Sequence, residues 1–115
     1  MVSIKTHTGE QVEIKFGIGE LTAIDKDLGL SVEEIALGEG LEMLVPKLQT
    51  ANFIAIAKVV KACLPKKHRP SNDEELEAVL ENILEDYESF KAFGEACIEE
   101  LGKKPMTREL VKDIA

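Results

Sequence analysis

The sequence contains no tryptophan and one tyrosine, Tyr87; with Phe16, Phe53, Phe90 and Phe93 its aromatics make up only 4% of residues. A core of stacked rings is therefore excluded, and the 44% hydrophobic content must act through Leu, Ile, Val and Ala. Such aliphatic side chains suit helices that interdigitate. Cysteine is equally scarce: Cys63 and Cys97 sit inside apolar helical patterns, far apart and at no metal-ligand spacing. Both are expected as buried, reduced thiols. Long apolar runs are missing too. The most apolar stretch, Phe53 to Leu64, is interrupted by Lys58 and Lys61 and is too short to cross a bilayer. With no signal-like segment in view, a cytoplasmic location is expected. Positive charge is in deficit, with 14 basic against 22 acidic residues and a net charge of −8. That balance repels phosphate and anionic lipid, so neither nucleic acid nor membrane is expected as a partner. It favours solubility.

The pattern that is present begins with alternation. Val2, Ile4 and Thr6 fall on one side of a first run, and Val12, Ile14 and Phe16 on one side of a second. His7-Thr8-Gly9-Glu10 between them is a turn signal. Opposed residues on paired strands share a face, so Ile4 must face Val12 or Ile14. A three-residue loop with Gly9 in the left-handed conformation sets Ile4 opposite Val12 and Val2 opposite Ile14. A lone hairpin is marginal in water, so its apolar face must lie on helices or on another chain.

After Gly17 the period becomes helical. Leu21, Ile24 and Leu28 form one stripe, stopped at Gly29, and Ser31 with Glu34 offers a capping box for a short helix carrying Val32, Ile35 and Ala36. Leu41, Leu44, Val45 and Leu48 form the next stripe. Pro46 within it must either occupy a first turn or kink the helix. The segment from Asn52 to Leu64 is apolar on all but a narrow strip at Lys58 and Lys61, as a central helix would be. A basic, proline-bounded loop follows (Lys66, Lys67, His68, Arg69). Another capping box at Ser71 to Glu74 then opens the cleanest amphipathic helix: Leu76, Val79, Leu80, Ile83, Leu84 and Tyr87. Phe90, Phe93, Cys97, Ile98 and Leu101 continue the pattern with no strong break at Glu88-Ser89, and Gly102 and Pro105 close it. A last stripe holds Leu110, Val111 and Ile114. The expected fold is mainly α, an N-terminal β-hairpin followed by a compact bundle of five to seven helices. It forms one domain over 1–115, with the hairpin in 1–17, the helical core in 18–102 and a tail with a short helix in 103–115.

Reactive chemistry is hard to assemble from these residues. The carboxylates Asp73, Glu74, Glu75, Glu77, Glu81, Glu85 and Glu88 mostly lie opposite their helix's apolar stripe, as a solvated or partner-facing surface would. His7 and His68 lie at no ligand spacing from each other or from the cysteines. Gly17-Ile18-Gly19 has the first two glycines of a dinucleotide turn, but the third would fall at Thr22, so it reads as a strand-to-helix corner. No nucleophile is paired with a base. No catalytic residue, cofactor or metal is expected, and the function points to protein binding. The candidate contact residues are Val2, Ile4, Val12 and Ile14 on the hairpin and Leu110, Val111 and Ile114 on the tail, where a strand edge and a terminal amphipathic segment are open to partners.

The order of these features resembles the tail assembly chaperones of long-tailed bacteriophages and their prophages. The resemblance rests on Val12-Glu13-Ile14-Lys15-Phe16-Gly17, on Leu21-x-x-Ile24-x-x-x-Leu28-Gly29 and on Ser31-Val32-Glu33-Glu34-Ile35. It continues through Gly40-Leu41-Glu42-Met43-Leu44-Val45-Pro46-Lys47-Leu48 and the apolar helix Ile54 to Leu64, spanning roughly residues 10 to 101. It implies a non-enzymatic chaperone that coats the tape measure protein before the tail tube polymerises around it. The resemblance also implies self-association, absence from the finished particle and, in an extended form, contact with the tail tube protein. A second reading is an acidic immunity or antitoxin-type inhibitor, with helix 73–88 plugging a basic toxin.

Overall fold

The computed structural model describes residues 2–28 and 39–112. It opens with strands β1 (Val2–Lys5) and β2 (Gln11–Ile14), paired antiparallel with Val2 opposite Ile14 and Ile4 opposite Val12. This is the register the alternation requires. The turn closes through Thr6 N donating to Glu10 O at 2.8 Å and Gly9 N donating to Thr6 O at 2.9 Å. Gly9 has φ +92°, where a Cβ would be strained.

Six α-helices follow among the described residues: α1 (Ile18–Leu28), α2 (Glu39–Gln49), α3 (Phe53–Cys63), α4 (Asp73–Tyr87), α5 (Phe90–Lys103) and α6 (Arg108–Lys112). The molecule is mainly α. The expected stop at Gly29 and the short helix from Ser31 lie outside the described residues.

Side-chain caps account for most of the helix boundaries. Glu20 folds back to accept from Gly17 N at 3.3 Å at the start of α1. Asn52 accepts from Ala55 N at the start of α3, Asn72 from Glu75 N at the start of α4, and Ser89 from Ala92 N at the start of α5. Glu75 in turn accepts from Ser71 N, so the box expected at Ser71 to Glu74 is shifted by one residue, with Asn72 and not Ser71 as the cap.

Two helix ends depart from what the residue types favour. Helix α2 closes through Asn52 N donating to Lys47 O and Ala51 N donating to Leu48 O, a Schellman pattern with Ala51 at φ +58° in place of glycine. Helix α4 ends at Glu88, φ +73°, so α4 and α5 are separate elements. Pro46 lies in the interior of α2 rather than in its first turn, and leaves the carbonyl one turn earlier without its helical donor.

Helix α1 packs on α2 and α3, α2 reaches across to α5 and α6, and β1 lies on α4 and α5. The shared core holds Leu21 and Ile24 of α1, Leu44, Val45 and Leu48 of α2, and Ile56, Val59 and Val60 of α3. Val79, Ile83, Phe93, Cys97 and Leu101 belong to it as well, together with Val2, Ile4, Ile14 and Phe16 of the hairpin region and Ala62, Cys63 and Leu64 at the end of α3. It is aliphatic apart from Phe16 and Phe93. Tyr87 meets Phe93 edge-on at 5.1 Å. At Gly94 α5 comes close to α2: a Cβ there would lie 2.5 Å from Leu48 O.

Candidate protein-binding surface

The alternating hairpin puts Val2, Ile4, Ile14 and Phe16 on one face, and that face is buried against the chain's own helices. Only Val12, of the four hairpin residues expected to meet a partner, remains half-exposed. The reason is a latch from α4 along the outer edge of β1. Tyr87 Oη donates to Ser3 O at 2.8 Å, and Asn82 Nδ2 donates to Lys5 O at 3.2 Å and Thr6 O at 3.0 Å. The Ser3 and Lys5 carbonyls would otherwise point into solvent as an open strand edge. No periodicity in the sequence signals that Asn82 and Tyr87 reach the hairpin.

On the tail, Leu110 and Val111 are half-buried and pack against the core. Thr107 anchors the segment by donating its buried hydroxyl to Leu101 O, and Val111 lies over Gly102. Ile114 lies outside the described residues.

The exposed apolar side chains are different ones. Ile18 begins α1, Met43 lies in α2, Phe53 and Ile54 form the first turn of α3, Leu84 is in α4, and Met106 precedes α6. Phe53 and Ile54 are 56% and 53% exposed, so the dry side of α3 begins only at Ala55. The wet strip expected at Lys58 and Lys61 is therefore wider at this end. Sequence periodicity missed these two because a helix apolar all round gives no sign of which end is covered.

Charge is segregated around the same frame. On α4, Glu74, Glu77, Glu81 and Glu85 are all exposed, as is Glu88 at its C-cap. In the loop before it, the exposed Arg69 folds back on the end of α3: Nε donates to Leu64 O at 2.8 Å and Nη2 to Ala62 O at 3.2 Å, closing the C-terminus of α3 with a cation. His68 lies 3.6 Å from Glu10, and His7 lies 3.5 Å from Glu75, which ties hairpin, loop and α4 together. An open depression of ≈ 300 Å³ is lined by Lys15, Glu20, Cys63, Leu64, Pro65, Lys66 and Arg69.

The Cys63 thiol in that depression is pushed up to about 12, chiefly by burial and then by Glu20. It is therefore protonated and poorly nucleophilic at neutral pH. Burial also pushes the Cys97 thiol upward, helped by Cys63. Among the described residues no group of His, Cys, Asp and Glu is arranged to hold a metal ion, and no helix is long and apolar enough to cross a membrane.

No curated protein and no solved structure matches the chain. A family model does, that of the phage tail assembly chaperone protein TAC, over residues 6–115. The match runs from the hairpin turn through α6 and so takes in nearly every element described above. The chain belongs to the phage tail assembly chaperone family.

Proposed function

We propose that this chaperone binds the tape measure protein of its phage and keeps it soluble in the host cytoplasm until the tail tube assembles around it. The family match over residues 6–115 carries the reading. Two physical features support it. A tape measure protein is a long chain with apolar faces, and bare apolar faces in an extended chain aggregate. A domain of net charge −8 that covers short apolar segments would solubilise such a client, and many copies along one client would add avidity.

The proposed contact surface combines the tail residues Leu110, Val111 and Ile114 with Val12 of the hairpin. Val2, Ile4 and Ile14 join it only if the hairpin lifts from α4, because in the closed chain they are within the core. The role is non-catalytic, and the chaperone is released before the particle is complete. The family match favours this role over the toxin-inhibitor reading.

Co-expression tests the proposal. The tape measure protein made together with this chain should be recovered in the soluble fraction, whereas alone it should precipitate. Equal precipitation in both cultures would refute the reading.

A further inference from the structure

The two edges of the hairpin are not equivalent. Thr6 N bonds to Glu10 O, so the even-numbered residues of β1 and β2 point their backbone groups at each other and the odd-numbered ones point outward. On β1 the outward carbonyls of Ser3 and Lys5 are taken by Tyr87 and Asn82. On β2 the outward groups belong to Gln11 and Glu13, both exposed, and no backbone hydrogen bond joins them to another described residue. Among the described residues nothing covers this edge, and an open edge is a template for one more strand.

We propose that β2 pairs through this edge with β2 of a second copy of the chain, antiparallel about a two-fold axis, to make one continuous four-stranded sheet. Outward residues must oppose outward residues, which leaves few registers. An axis through Glu13 sets Glu13 against the partner's Glu13, and like charges directly opposite repel. An axis through Val12 sets Glu13 against the partner's Gln11 and makes no ion pair. An axis through Ile14 extends the pairing one residue past the end of β2, where the alternation continues with Lys15 exposed and Phe16 buried. It sets Glu13 against the partner's Lys15 and Lys15 against the partner's Glu13, two opposite-charge pairs related by symmetry.

The surroundings favour that third register. Lys15 stands at the depression that also holds Lys66 and Arg69, against the single carboxylate Glu20, so each arriving Glu13 meets a positive rim on a chain that is otherwise acidic. This pairing extends the chaperone reading without depending on it, because it is measured on the chain without any client.

The test is the mass of the full chain by sedimentation across a range of concentrations, for wild type, Glu13→Lys and Lys15→Glu. Wild type should associate with rising concentration. Each variant alone opposes like charges at both positions and should lose that step, while circular dichroism shows it folded, since both residues are exposed. Mixing the two variants in equal amounts restores both opposite-charge pairs and should restore association. The proposal is overturned if wild type stays monomeric, if either single variant associates as wild type does, or if the mixture stays monomeric. Amide-exchange protection at Gln11 and Glu13 that arises only with a client would instead assign the edge to the client and leave the solubilising role intact.

Discussion

Replacing Gly94 with alanine should drive α5 away from α2. The new Cβ would lie 2.5 Å from Leu48 O and 3.2 Å from Leu48 C, and the obstacle is backbone, which cannot rotate aside as a side chain can. Ordinary contact begins near 3.4 Å, so α5 must retreat by nearly 1 Å. A gap of about that size forfeits roughly a quarter to a half of the dispersion energy of each contact it opens. The contacts at risk belong to Phe93, Cys97 and Leu101 on α5 and to Leu44, Val45 and Leu48 on α2, all fully buried. Overpacking of this kind costs about 1–3 kcal/mol, and a backbone obstacle belongs at the upper end. Alanine's better helix propensity offsets about 1 kcal/mol. The net expectation is a loss of about 2 kcal/mol, or roughly 8 °C in Tm for a chain of this length.

Urea titration followed by far-UV circular dichroism measures the change, with Gly19→Ala as the control. Nothing lies within 4 Å of a Cβ at Gly19 in α1, so that substitution should stabilise by about 0.4–1 kcal/mol. A Gly94→Ala protein as stable as wild type, or one that shifts with the control in the same direction, would refute the packing argument.

Three further outcomes follow from the same geometry. Asn82→Ala should loosen the hairpin by about 1–2 kcal/mol and Tyr87→Phe by about 1 kcal/mol, read as faster amide exchange in β1 and β2 than in α3. Ala51→Gly should raise stability by about 0.5–1 kcal/mol, because it relieves a left-handed alanine at the end of α2 at the cost of a more flexible unfolded chain; a thermal melt decides it. The buried thiols set an alkaline limit. Cys63 rises from 9.0 to about 12 on folding, so the folded chain holds a proton that the unfolded chain releases. Stability is therefore full below pH 9 and falls as pH rises from there toward 12, with Cys97 acting in the same sense. Denaturant titrations at stepped pH should show that slope, Cys97→Ala should flatten it, and both thiols should resist alkylating reagents until the chain unfolds.

The local layers of this fold were legible in the residues alone. Alternation plus Gly9 is sufficient for the hairpin register, because a slip by one residue would turn every apolar side chain to the wrong face. A cap before α4 was legible at Ser71 to Glu74, but the structure sets it one residue later, with Asn72 accepting from Glu75 N and Glu75 accepting from Ser71 N. Acidity, scarce aromatics and the succession of stripes were enough for an acidic, mainly helical protein-binding domain; the chaperone reading came from the resemblance of the ordered segments to a known family, which the family match bears out.

Tertiary structure decided the rest. The residue string offers no strong break between α4 and α5, yet Glu88 turns left-handed there. The turn lets Tyr87 reach both Phe93 and the carbonyl of Ser3, and lets Phe93 enter the core. Where the hairpin's greasy face would lie, on its own helices or on a neighbour, was open in the sequence. It is settled by Asn82, whose bond to Lys5 spans 77 residues of chain. Periodicity and caps act over a turn or two of backbone. Which surface covers which depends on contacts between distant segments, and among the described residues the same contacts close β1 and leave the edge of β2 without a backbone partner.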